Sequence, residues 1–121
     1  MSAGDLVRTA IESLNSNIDY FYEQLAEDAP YEPLGLVGPV AIRRVDQAFY
    51  DLFTTHHRVV ERLIEDRDRV YVWVRFMGTT RAGTRVEAES NNHYVVSDGK
   101  IASMTIFADT DALRADLPGS G

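Results

Sequence analysis

The hydrophobic period of this chain changes once, near His57, and that single change restricts the folds open to it. Before it, apolar residues recur at helical spacing. Ser2 with Asp5 three residues later resembles a capping box, and Leu6, Ala10, Ile11 and Leu14 follow on one face, which predicts a helix to about Asn15. Ser16 and Asp19 repeat the device ahead of a stripe of Ile18, Phe21, Tyr22 and Leu25, a second helix that Pro30 must end. The stretch from Asp28 to Pro39 holds three prolines and two glycines and reads as a loop with at most a short extended piece at Tyr31 and Glu32. Pro39 suits a first helical turn, and Ile42, Val45, Ala48, Phe49 and Leu52 mark one buried face of a third helix.

After His57 the chain is written in β-branched and aromatic residues, predicting strands over Arg58 to Ile64, Val70 to Met77, Thr84 to Val96 and Ile101 to Phe107. Asp98-Gly99 is the strongest hairpin signal, because a type I′ turn needs positive φ at both central residues. Asp109 or Thr110 can cap a last short helix through Leu113, which Pro118 would stop. Helices followed by strands give an α+β layer architecture. One domain over residues 1–117 is expected, with 118–121 as a flexible tail.

The 121 residues can bury roughly two thirds of their unfolded surface without a metal or disulfide. The absence of cysteine excludes a thiolate nucleophile and a Cys-type zinc site. A net charge of −7 repels a phosphate backbone, so nucleic acid is not an expected partner. With neither a signal segment nor a long apolar run, a cytoplasmic protein without a membrane anchor is expected.

Strand parity sorts the candidate residues. Ala88, Ser90, Asn92, Tyr94 and Val96 point one way, and Glu87, Glu89, Asn91 and His93 the other. In the preceding strand Val70, Val72, Val74 and Phe76 oppose Tyr71, Trp73, Arg75 and Met77, so neither side is plainly polar. A strand apolar on both faces calls for helices on one side and a partner subunit on the other, which predicts a homodimer through the sheet.

The order of elements, with Leu25-Ala26-Glu27-Asp28-Ala29, Tyr31-Glu32-Pro33, Gly38, Asp98-Gly99-Lys100-Ile101 and Phe107-Ala108-Asp109, resembles the nuclear-transport-factor-2-like superfamily over most of the chain. That superfamily contains ketosteroid isomerases, SnoaL-like polyketide cyclases and limonene-epoxide hydrolases. The resemblance implies a cone: a curved antiparallel sheet of about four to six strands wrapped by three N-terminal helices, with a deep apolar pocket for a small hydrophobic ligand and no cofactor. It also implies a lining of Trp73, Arg75, Ser90, Asn92 and Tyr94, completed by Met104 or Ile106. Where the epoxide hydrolases carry an aspartate, arginine, aspartate set, this chain has Trp73, Arg75 and Ile106. Only Tyr31 matches, at the tyrosine that helps hold the hydrolytic water. Asn92-His93-Tyr94 resembles the segment bearing the isomerases' protonated aspartate, with Asn92 in its place. Ala10 stands for their tyrosine, and Pro33 or, with a one-residue gap, Glu32 for their base.

Each candidate has a plainer reading beside the chemical one. Glu32 is a general base in a dry pocket or a solvated loop carboxylate, and Arg75 is a pocket cation or half of a salt bridge at a sheet rim or dimer interface. Asn92 is an oxyanion donor or a buried amide satisfied by its neighbours, and Trp73 is a stacking wall or a core aromatic. His56 and His57 point to opposite faces of an extended chain and do not make a metal site, and His93 faces away from Asn92. The expected function is a cofactor-free acid/base enzyme of the cyclase, isomerase or epoxide-hydrolase type using Tyr31, Glu32, Arg75 and Asn92. The alternative is a non-catalytic ligand-binding or dimeric scaffold domain.

Overall fold

The structure is a computed structural model that describes residues 1–107; the expected last helix and the 117/118 boundary lie outside them. Helix α1, Ala3–Ser13, begins where Ser2 Oγ accepts from the Asp5 amide at 3.1 Å, as its cap signal predicts. Helix α2 is only Ile18–Glu23. Its N-cap is Asn17 without a side-chain cap bond, so Ser16 does not act as expected. Leu25 has already left the helix to bridge Ile101, and Ala26 donates to the Ile101 carbonyl. That sheet contact, and not Pro30, ends α2.

The loop holds two short strands, β1 at Pro30–Glu32 and β2 at Leu36–Val37. Gly38 then opens helix α3, Pro39–Tyr50, with Pro39 in the first turn. No other residue fits there: φ is +86°, and a Cβ would sit 2.5 Å from the Glu27 carbonyl oxygen. Four long strands follow, β3 at Phe53–Asp66, β4 at Arg69–Thr80, β5 at Arg85–Ser97 and β6 at Lys100–Phe107. Strand β3 starts five residues before the predicted Arg58 and therefore takes in both histidines. Asp98 and Gly99 have φ of 54° and 73°, the turn their sequence demands.

The sheet order is β2-β1-β6-β5-β4-β3. It is curved, unclosed and mixed: every strand pairing is antiparallel except β1 with β6, and β2, paired outside β1, forms that edge. A register shift between Val60 and Arg62 adds Glu61 as a bulge in β3, returning Leu63 to the inner face opposite Val72. The core joins Leu6, Val7, Ala10 and Ile11 of α1 and Phe21 and Tyr22 of α2 to the inner face of β4, β5 and β6.

From Val70 to Val74, strand β4 is buried on both faces within one chain. Its outer residues Tyr71 and Trp73 pack with Ile64 and Phe107, Tyr71 stacks on His93, and the Arg62 guanidinium covers the Trp73 ring. Tyr71 and Trp73 are thus covered within one chain. Helix α3 differs from its expectation in the opposite sense: only Ile42 is buried, while Val45, Phe49 and Leu52 stay open. The apolar stripe of α3 faces a cavity, not a packed core. No helix among the described residues is long and apolar enough to cross a membrane.

Candidate functional site

A cavity of about 390 Å³ lies between the inner sheet face and the helices. Register arranges the inner sheet face beneath it in rows, because directly paired residues of antiparallel strands share a face. Arg58, Phe76 and Ala88 form one row across β3, β4 and β5, and Val60, Val74 and Ser90 form the next. Val72, Asn92 and Ile106 form a third, and Val70, Tyr94, Met104 and Tyr31 a fourth that reaches β1. Helix α3 closes the opposite side with Val45, Asp46, Phe49 and Tyr50.

The same register places the sequence candidates. Tyr31, Ser90, Asn92, Tyr94 and Met104 line the cavity together. Ile106 shares the inner face opposite Asn92 but is not among the lining residues. Trp73 and Arg75 do not join them: Val74 pairs with Ser90, so their odd-numbered neighbours in β4 point to the outer face. Arg75 is partly exposed there and pairs with Glu61 at 3.2 Å and Glu89 at 3.8 Å. Trp73 is a packed aromatic under Arg62. Glu32 is exposed, one residue out of phase with Tyr31, and pairs neither with the cavity nor with Arg75. His56 and His57 diverge as expected, His56 inward and His57 to solvent.

Asn92 is buried and donates to Ser90 Oγ at 2.9 Å, which leaves its second amide hydrogen for a ligand oxygen. Burial pushes the Tyr94 and Tyr31 hydroxyls well above the usual phenol range, so both stay protonated donors at any working pH.

The polar wall opposite was not foreseen. Asp46 on α3 accepts from the Tyr22 hydroxyl at 2.6 Å. Desolvation raises its carboxyl above the ordinary aspartate value, against the smaller lowering effects of the Tyr22 bond and the Arg58 charge. Beside it, burial pushes the Tyr50 phenol up to about 12. Arg58 is 5% exposed, and its guanidinium lies 5.1 Å from the Tyr50 ring centre and 5.5 Å from that of Phe76. Nη1 donates to Asn15 Oδ1 at 3.2 Å and Nη2 to His56 Nδ1 at 3.0 Å. An arginine nitrogen only donates, so His56 must be neutral with its proton on Nε2. Desolvation and then the Arg58 charge lower its pKa accordingly.

The signal for this wall was available. Asp46 stands at i+4 from Ile42 and i−3 from Phe49, in the middle of the third helix's apolar stripe, where a carboxylate is costly unless a hydrogen bond or a charge partner offsets its burial. Arg58 has the parity of His56 and Val60 and interrupts an otherwise apolar inner row. A second hollow of about 560 Å³ runs past Thr55, His57, Thr79 and Glu87. Though larger, it is walled mainly by exposed polar groups, so a ligand there would stay wet. Among the described residues no cluster of His, Asp or Glu is placed to hold a metal.

A family model for a SnoaL-like domain matches residues 7–104. A loop-truncation variant of IdmH from Streptomyces antibioticus superimposes with a TM-score of 0.76 at 21% identity, over 94% of this chain and 98% of that one. A SnoaL-like polyketide cyclase from Agrobacterium tumefaciens gives 0.78 at 17% identity, over 95% and 97%. TerC, co-crystallised with polyporic acid, gives 0.75 at 18% identity, over 93% and 95%. At these identities the likeness is one of fold. No match is found among curated protein sequences.

Proposed function

The chain belongs to the SnoaL-like domain family, and on that premise we propose that it is a cofactor-free acid/base enzyme of the cyclase or isomerase type. Its substrate is a small, mostly apolar carbonyl compound bound in the inner cavity. One observation carries this reading: the carboxylate among the described lining residues, Asp46, is raised by burial, oriented by Tyr22 and faces a wall of hydrogen-bond donors.

In this reading Asp46 removes a proton from a carbon next to a carbonyl, and the C–H electron pair moves onto the carbonyl oxygen as an enolate. Asn92, with Tyr94 and Tyr31 along the same inner face, supplies donors to that oxygen. The enolate carbon then either takes a proton back at a new position or attacks a second carbonyl of the same molecule. In the latter case the new alkoxide recovers the proton from Asp46, and nothing is consumed. The apolar remainder of the cavity, Ile11, Leu14, Phe21 and Phe49 among others, holds the substrate and excludes water. Epoxide hydrolysis fits less well, because Trp73 and Arg75 lie outside the cavity.

A thermal-shift panel of aromatic polyketides, steroids and terpenoid epoxides tests the binding half, since a ligand of the folded state must raise Tm. Stabilisation by the aromatic polyketide class is expected, and Asn92→Leu should weaken it while preserving the fold. Stabilisation with no turnover of any enolisable member would instead support a ligand-binding domain. No stabilisation by any class would remove the cavity from the account.

A further inference from the structure

Arg58 is a cation almost wholly withdrawn from water, and among the described residues no carboxylate forms a salt bridge with it. Its chain is fixed from both sides. Asn15, in the α1–α2 connection, donates to the Arg58 carbonyl at 2.9 Å and accepts from its amide at 2.9 Å. The aromatic faces of Tyr50 and Phe76 flank the guanidinium. A guanidinium carries five N–H donors. The hydrogen bonds to Asn15 and His56 occupy two of its nitrogens, and the residue lines the cavity. Asp46, the acid whose charge acts on it inside the cavity, is anchored on α3 by Tyr22 and sits beyond ion-pair distance. A buried, rigid, incompletely paired guanidinium in a chain of net charge −7 is a local reversal of sign.

We propose that the ligand carries a carboxylate, and that Arg58 is the residue that binds it. The inference rests on the reading of the inner cavity as the ligand site, and adds the charge and the anchoring group. The desolvation of the guanidinium is already incurred on folding, so an arriving carboxylate loses only its own water and meets a preorganised donor fork. The geometry then orients the molecule: carboxylate toward the Arg58–Phe76–Ala88 row, apolar body across Val74 and Phe49, and reacting carbon toward Asp46.

The test is calorimetric titration with 2-naphthoate and its neutral isostere 2-naphthamide, neither of which has an acidic carbon, so turnover plays no part. Wild-type protein should bind the acid about tenfold or more tightly than the amide, the effect of one charge-assisted contact. Arg58→Met should erase that gap. Asp46→Asn, in which Tyr22 can still donate to the amide oxygen, should widen it by removing a competing negative charge, and it serves if the Met variant does not fold. An amide that binds as tightly as the acid, an acid that does not bind, or a gap that neither substitution moves would overturn the proposal. Failure of Asp46 as a base would leave the acid preference intact, and a missing preference would leave Asp46 free to be a base.

Discussion

Asp46 is where stability and chemistry pull against each other. Its carboxyl holds a proton more tightly in the folded chain than in the unfolded one, because burial penalises the charge. Such a group contributes stability that is full below its unfolded value and is lost as pH rises through the folded value. Asp46→Asn is therefore expected to raise Tm at neutral pH, with the advantage vanishing in melts run below the ordinary carboxylate range, while turnover falls about 10²-fold or more. Activity that needs the ionised base should fall as pH drops through the raised Asp46 value. The Tyr22 bond lowers that value, so Tyr22→Phe should move the acidic limb of the kcat/KM profile to higher pH. A limb that stays in place would leave Tyr22 as a packing residue only.

The elements cooperate through a few polar ties that apolar patterning does not show. Asn15 makes three bonds to Arg58, two of them to its backbone, and so fixes the α1–α2 connection to β3. Asn15→Ala leaves the buried Arg58 amide and guanidinium short of partners and should cost about 2 kcal/mol in denaturant unfolding. Ser2, Pro39 and Asp98-Gly99 act through local chemistry and were legible one by one. The start of β3 and the length of α2 depend on tertiary partners, Thr80 opposite Phe53 and Ile101 beside Leu25, which spacing does not contain. The inner and outer sets of β4 were separable by parity, but choosing between them needed the β4–β5 register, and a shift of one residue moves Trp73 and Arg75 to the opposite face.

At the scale of the whole molecule, a cone keeps one side of α3 open, so Val45 and Phe49 line the cavity in place of packing into a core. Half of the candidate site, Tyr31, Asn92, Tyr94 and Met104, was legible because a resemblance pointed to the inner strand face. Asp46 and Arg58 carry fainter signals, a carboxylate inside a helix stripe and an arginine at inward strand parity, and what they form together depends on stripe and row being brought face to face. The proposed chemistry requires that wall to remove a proton from a carbon acid. The measurement that reaches it most directly is deuterium exchange at the acidic carbon of 2-tetralone in heavy water, followed by proton NMR, with wild-type protein and Asp46→Asn. Exchange is expected to be accelerated above buffer by the wild type and reduced about 10²-fold or more in the variant, with the same ligand-induced shift in Tm for both. Exchange no faster than buffer with bound ketone, or equal acceleration by the variant, would contradict it.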